Sequence, residues 1–163
     1  MAGDAIGMFG RAQGLSLDIT RYFTFFTLLA MLIGYIAGII TIPTIISQQR
    51  GLTLSAVLGI VFSMGAYFSG GYTSIAFIAL LGLANALMWP AIFPLAIKGL
   101  GRFTKMGSAL LVMGIAGGAV IPLIYGLLKD KLHLSNHLSF FSCVLPGYVY
   151  ILYYSVKGYK ATK

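Results

Sequence analysis

Four long intervals of this chain contain no charged side chain: Arg21 to Arg50, Arg50 to Lys98, Lys105 to Lys129, and Lys131 to Lys157. A helix crossing the hydrocarbon core of a bilayer needs about 20 apolar residues. Each interval therefore holds a span, and the second is long enough for two. Hydrocarbon offers no partner to a backbone amide or carbonyl, so continuous apolar runs of this kind must close their hydrogen bonds internally, as α-helices. Only 9% of residues are charged and 59% are hydrophobic, against roughly a quarter charged in soluble domains. The chain is expected to be an all-α integral membrane protein, a single helical bundle over residues 1–163. Spans are expected at about 20–47, 52–69, 72–98, 106–128 and 138–157. Residues 1–14 read as the second half of a further span, an incomplete helix. They show no basic leader followed by a long apolar core, so no cleaved signal is expected.

The net charge of +8 does not point to nucleic acid, because the Lys and Arg residues lie between spans rather than in one patch. Basic residues favour the cytoplasmic side. An inside C-terminus puts Arg50, Lys98, Arg102, Lys105, Lys157, Lys160 and Lys163 in the cytoplasm, and Arg11, Arg21, Lys129 and Lys131 outside. The expected setting is a bacterial inner (plasma) membrane, crossed several times, with lipid as the immediate partner. The lone Cys143 allows no internal disulfide.

The spans differ in character. Thr24, Thr27, Met31, Gly34, Gly38 and Thr41 recur three and four apart, a narrow stripe on one helix face. Small residues let backbones approach closely in membranes. The fourth span, GSALLVMGIAGGAVIPLIYG, carries Gly107, Gly114, Gly117 and Gly118 with Pro122 a turn later. Two such helices predict a tightly packed interface. The span 138–157 is rich in Phe and Tyr, read as belt residues facing lipid and headgroups. The span 52–69 looks plain. Both are expected on the outside.

The segment NALMWPAIFPLAIKGLG, from Asn85 to Gly101, combines two prolines with an amide and an indole. Proline lacks an amide hydrogen and clashes with the carbonyl four residues back. Pro90 therefore frees the carbonyl of Ala86, and Pro94 frees that of Pro90. Asn85, Trp89 and Phe93 form a row at four-residue spacing. An amide and an indole N–H can pair with hydroxyls while a ring stacks on the apolar face of a sugar. The plainer reading is a kinked structural helix whose Asn bonds a neighbour and whose Trp packs.

Other chemistry finds little support. Asp130, His133 and His137 would place two imidazoles on one face only if the segment were helical, so a loop facing water is the expected reading, with no metal. No Glu occurs, and no nucleophile, His and acid converge in the spans, so an enzyme is not expected.

The run NALMWPAIFPLAIKGLGRFTKMGSALLVMGIAGGAVIPLIYG resembles helices ten and eleven of the fucose–galactose–hexose transporter family of the major facilitator superfamily. The elements carrying the likeness are P-x-I-F-x-L-x-I-x-x-L-G from Pro90 to Gly101, T-K-x-G-S from Thr104 to Ser108, and Gly117–Gly118. The upstream text, GDAIGMFGRAQGLSLDITRYFTFFTLLAMLIGYIAG, resembles the end of helix seven followed by helix eight. The resemblance implies the C-terminal six-helix half of a transporter, its first helix incomplete. It implies that helices seven, eight, ten and eleven face the cavity or the other half, with nine and twelve outside.

The resulting expectation is the C-terminal half of a secondary active symporter for a hexose or fucose-like sugar, working by alternating access. It would need an N-terminal half, on the same longer chain or a separate one. No cofactor is expected beyond a proton or sodium as coupling ion. Asn85 and Trp89 are the leading candidates for solute contact, followed by Thr27, Tyr35 and Met113. Pro90, Pro94, Gly114, Gly117 and Gly118 would shape the helices. Asp4 is the candidate for ion coupling, because an ionisable group at membrane depth is a functional candidate by default; the alternative is an interfacial position. The rival to a transporter is a non-transporting membrane scaffold or remnant subunit.

Overall fold

A computed structural model describes residues 14, 17–42 and 44–158. The partial helix expected over 1–14, and Asp4 with it, lies outside the described residues save Gly14. Among the described residues seven α-helices follow in order: α1 Leu17–Thr41, α2 Gln48–Phe68, α3 Gly71–Ala86, α4 Met88–Ile97, α5 Thr104–Met113, α6 Gly117–Asp130 and α7 Asn136–Val156. Short 3-10 turns, Gly101–Phe103 and Gly114–Ala116, lead into α5 and join it to α6. They make five membrane-length units: Arg21–Thr41, Gln48–Phe68, Gly71–Ile97, Gly101–Asp130 and Asn136–Val156. The first stops at Thr41, short of the expected position 47, and the chain turns back through hydrogen bonds from the Ile45 and Ile46 amides to the Thr41 carbonyl. Ser47 then caps α2, its side chain accepting from the Arg50 amide.

The third unit is interrupted at Leu87, three residues before Pro90. That is where a proline acts, since its ring displaces the carbonyl four residues back. Pro90 itself then sits in the first turn of α4, where no amide donor is required. Pro94 lies inside α4.

In lipid the tails are as apolar as leucine, so helices associate through close packing and hydrogen bonds rather than a hydrophobic drive. α1 runs along α3 in the same direction, with Thr27 and Met31 against Gly82 and Gly34 against Leu83 and Ala86. A Cβ on Gly82 would lie 2.6 Å from the Thr27 carbonyl oxygen. The α1 stripe is therefore a true contact surface.

The second unit is not the plain outer helix expected. α2 packs against α3, α4 and α7, burying Gly51, Ser55, Gly59 and Ser63, one face at four-residue spacing. Against α7 it runs antiparallel, joined by the Thr53 hydroxyl donating to Ser155 at 3.0 Å and, at the far end, by His137 Nδ1 and the Ala66 carbonyl at 3.0 Å. The Ser74 hydroxyl also donates to Ala66, tying α3 to the same point. The reading missed α2 because serine and glycine among leucines look featureless until their spacing is matched to a partner helix.

The glycines of the fourth unit are the reverse case. Around Gly114, Gly117 and Gly118 no neighbouring atom lies within reach of an added Cβ. Among the described residues nothing forms their expected packed interface. α6 is held mainly through Tyr125, which sits edge-on to Phe140 and hydrogen bonds to Asn136. His133 lies in the loop before α7 with a positive φ of 50°, so it and His137 do not share a helix face. Among the described residues no three potential metal ligands come together.

Candidate functional site

A cavity of about 760 Å³ opens where four of the units meet, within the range of small-molecule sites. α1 contributes Leu28, Met31 and Tyr35, and the break at Leu87 delivers Asn85 from α3 and Met88 and Trp89 from α4. Ile115 and Ile121 come from the fourth unit, and Cys143, Gly147 and Tyr148 are among the α7 residues that close the far side. The wall holds an amide, an indole and two phenols among aliphatic and thioether groups, with no Asp, Glu, Lys or Arg among the described residues. Such a wall suits a neutral solute that offers both hydroxyls and apolar surface.

Three of the residues singled out from sequence meet here. Asn85 is half-buried and accepts a hydrogen bond from the Tyr148 hydroxyl at 2.8 Å. Trp89 is 40% exposed, its indole tilted against Phe93 at 5.8 Å between centroids. Tyr35 lies across from them on α1. The row of Asn85, Trp89 and Phe93 splits at this point, because Phe93 supports the indole without lining the cavity.

Thr27 and Met113 are elsewhere. Thr27 is fully buried, its hydroxyl donating to the Phe23 carbonyl and its methyl packed on Gly82. A buried threonine in a membrane helix satisfies its hydroxyl on its own preceding turn, so it serves the α1–α3 contact. Met113 ends α5 with 70% of its surface exposed, outside the cavity wall. Of the helix-shaping residues, Pro90 and Pro94 follow Trp89 on α4, while Gly114 opens, and Gly117 and Gly118 follow, a 3-10 turn that carries Ile115 to the cavity.

Tyr148 is the residue the sequence reading misplaced. The aromatic composition of its span points to lipid, yet only 6% of Tyr148 is exposed. Its ring lies over Gly59 of α2, where any side chain would overlap it. Tyr150 and Tyr153, its neighbours on α7, do face outward. The available signal was Ser139, Cys143 and Gly147, a small-residue row at four-residue spacing that marks the inner face of α7 and runs into Tyr148.

Comparison with known proteins places these observations. A glucose/galactose transporter of Brucella abortus is 34% identical over 116 residues, covering 71% of this chain and 27% of the relative. The L-fucose-proton symporter of Escherichia coli is 29% identical over 104 residues, covering 64% of this chain and 24% of its own. The corresponding symporter of Haemophilus influenzae is 31% identical over 115 residues, or 69% of this chain and 27% of that protein. The matched segment thus spans about a quarter of the length of these relatives. No protein-family model and no solved structure matches the chain. Two separately named kinds of membrane sugar transporter align with most of this bundle of apolar helices, and by that similarity the chain belongs to the fucose–galactose–hexose family of the major facilitator superfamily.

Proposed function

We propose that the chain is the C-terminal half of a secondary active symporter for a hexose or fucose-like monosaccharide, a carrier rather than an enzyme. The observation that carries this reading is the meeting of Asn85, Trp89 and Tyr35 in one cavity whose described lining residues carry no charge. A neutral sugar gains hydrogen bonds from the amide, indole and phenol, and its C–H face packs on the ring systems. An ion would meet no opposite charge among the described residues of this wall.

The remaining parts of the proposal follow from that site. An N-terminal half, on the same longer chain or a separate one, would close the cavity, and rocking of the halves about a central solute would give alternating access. The bacterial inner membrane, with the C-terminus in the cytoplasm, fits the clustering of Lys98, Arg102 and Lys105 in a single connector. Coupling to a proton or sodium needs an ionisable group, Asp4 being the candidate within the chain.

Vesicles containing this chain alone are expected to take up no radiolabelled D-glucose, D-galactose or L-fucose, and uptake by the chain alone would refute its incompleteness. Co-reconstituted with an N-terminal half, the wild type should transport at least one of the three. Asn85→Ala and Trp89→Ala should each raise the half-saturating sugar concentration about tenfold or more, as expected when a binding site loses a hydrogen-bonding or stacking group. Unchanged sugar affinity in both, with normal insertion, would remove the cavity from the transport path.

A further inference from the structure

The amide of Asn85 can serve a ligand in two opposite ways. Its oxygen accepts, its nitrogen donates twice, and the two ends have nearly the same shape. A half-buried asparagine facing a cavity can therefore turn over and present either end. In this structure the oxygen end is the one engaged by a protein group. The Tyr148 hydroxyl donates to Asn85 Oδ1, and the ring that carries this hydroxyl is held in place by its seat on Gly59. The seat is rigid, because Tyr148 is almost fully buried between α2 and α3.

We infer that Tyr148 is a positioning residue for solute recognition: it occupies the oxygen of Asn85 and thereby dedicates the Asn85 N–H groups to an acceptor oxygen on the ligand. The inference rests on the monosaccharide reading above and adds the polarity of its central contact. A hydroxyl or ring oxygen facing Asn85 must act as acceptor, and a ligand with only a donor at that point meets the wrong end of the amide. Trp89, a turn away, supplies a second donor through its indole N–H. Asn85 and Trp89 together then read two acceptor oxygens along one edge of the solute, with Tyr148 setting the orientation of the first. The last helix enters the site by way of the third.

Two single-copy residues make this measurable in the unmodified full chain. Trp89 is its one tryptophan and Cys143 its one cysteine, and both line the cavity. In lipid nanodiscs, D-glucose, D-galactose and L-fucose are titrated against Trp89 fluorescence, and protection of Cys143 from a small maleimide provides an independent readout. For the sugar that binds the wild type, Tyr148→Phe, which keeps the ring on Gly59, is expected to weaken binding about three- to tenfold, the range for one hydrogen bond. Asn85→Ala is expected to weaken it at least as much. Adding Tyr148→Phe to Asn85→Ala should then change affinity by less than about twofold, since Tyr148 acts through Asn85. A merely structural tyrosine would produce losses that multiply.

Asn85→Asp provides a second line, because a carboxylate still accepts from Tyr148 but has no N–H to offer. It should bind as poorly as Asn85→Ala, and wild-type affinity in it would overturn the inference. So would a Tyr148→Phe chain that binds as the wild type does, or independent losses in the double variant. Failure of the wild type to bind any of the three sugars even with an N-terminal half co-reconstituted overturns the functional reading and this inference together, whereas wild-type affinity in Tyr148→Phe overturns the inference alone.

Discussion

Gly82→Val is expected to part α1 from α3 and to open one wall of the cavity. The first carbon of the new side chain would stand 2.6 Å from the Thr27 carbonyl oxygen and 3.1 Å from Met31 Cγ. The first of these obstacles is backbone, which cannot swing aside as a flexible side chain can. Overpacking of this kind costs about 1–3 kcal/mol, and here the strain falls on a contact made almost wholly of close approach. Met31 and Tyr35 reach the cavity from the same helix, so the chain should lose sugar binding along with stability. Unfolding in a graded detergent titration, followed through Trp89 fluorescence, should show an earlier midpoint. The matched controls are Gly114→Ala, Gly117→Ala and Gly118→Ala. Each has open space around the glycine, and alanine is the better helix former by about 1 kcal/mol. These three are expected to be neutral or slightly stabilising in this chain. Strong destabilisation by them, with Gly82→Val tolerated, would mean that the helices pack differently.

Gly59→Leu has the second large expected effect, and it separates packing from recognition. The leucine would occupy the volume of the Tyr148 ring, because any Cβ at this position already overlaps it. α2 and α7 would move apart or Tyr148 would leave its seat, at about 1–3 kcal/mol for the overpacking. Either outcome withdraws the hydroxyl from Asn85, so sugar binding should fall as in Tyr148→Phe. Tyr148→Ala makes room for the leucine, so Gly59→Leu should cost clearly less stability in that background. Groups in direct contact couple in this way, whereas distant ones add. Equal costs in both backgrounds would show that Gly59 and Tyr148 do not share this space.

The two substitutions also mark where reading along the chain succeeded and where it stopped. Gly34 belongs to a stripe that was visible as spacing on one helix, and its partner face on α3 confirms the close approach. The stripe of α2 has the same kind of spacing, Gly51 to Ser55 to Gly59 to Ser63, in a span that looks plain by composition. The Gly114–Gly118 cluster had the strongest composition signal, yet none of the described residues packs on it. Density of glycine allows a close contact without saying which surface makes it. The prolines gave their local consequence correctly, a break one turn before Pro90, because that effect depends only on the backbone four residues away.

What the sequence determined by itself was the class: charge-free intervals of membrane length dictate helices, since hydrocarbon leaves the backbone no other partner. It also located the bend beside Asn85 and Trp89, a local consequence of proline chemistry. Only the tertiary structure decided which faces meet. It made α2 a shared packing partner of three helices, sent Thr27 into a packed seam, left Met113 outside the cavity, and turned Tyr148 inward to meet Asn85 from 63 positions away in the chain. In lipid, apolar residues are equally at home facing a neighbour or an acyl chain, so hydrophobic pattern carries no inside-outside signal. The choice falls to shape and to a few hydrogen bonds between distant residues, which no single stretch of sequence contains.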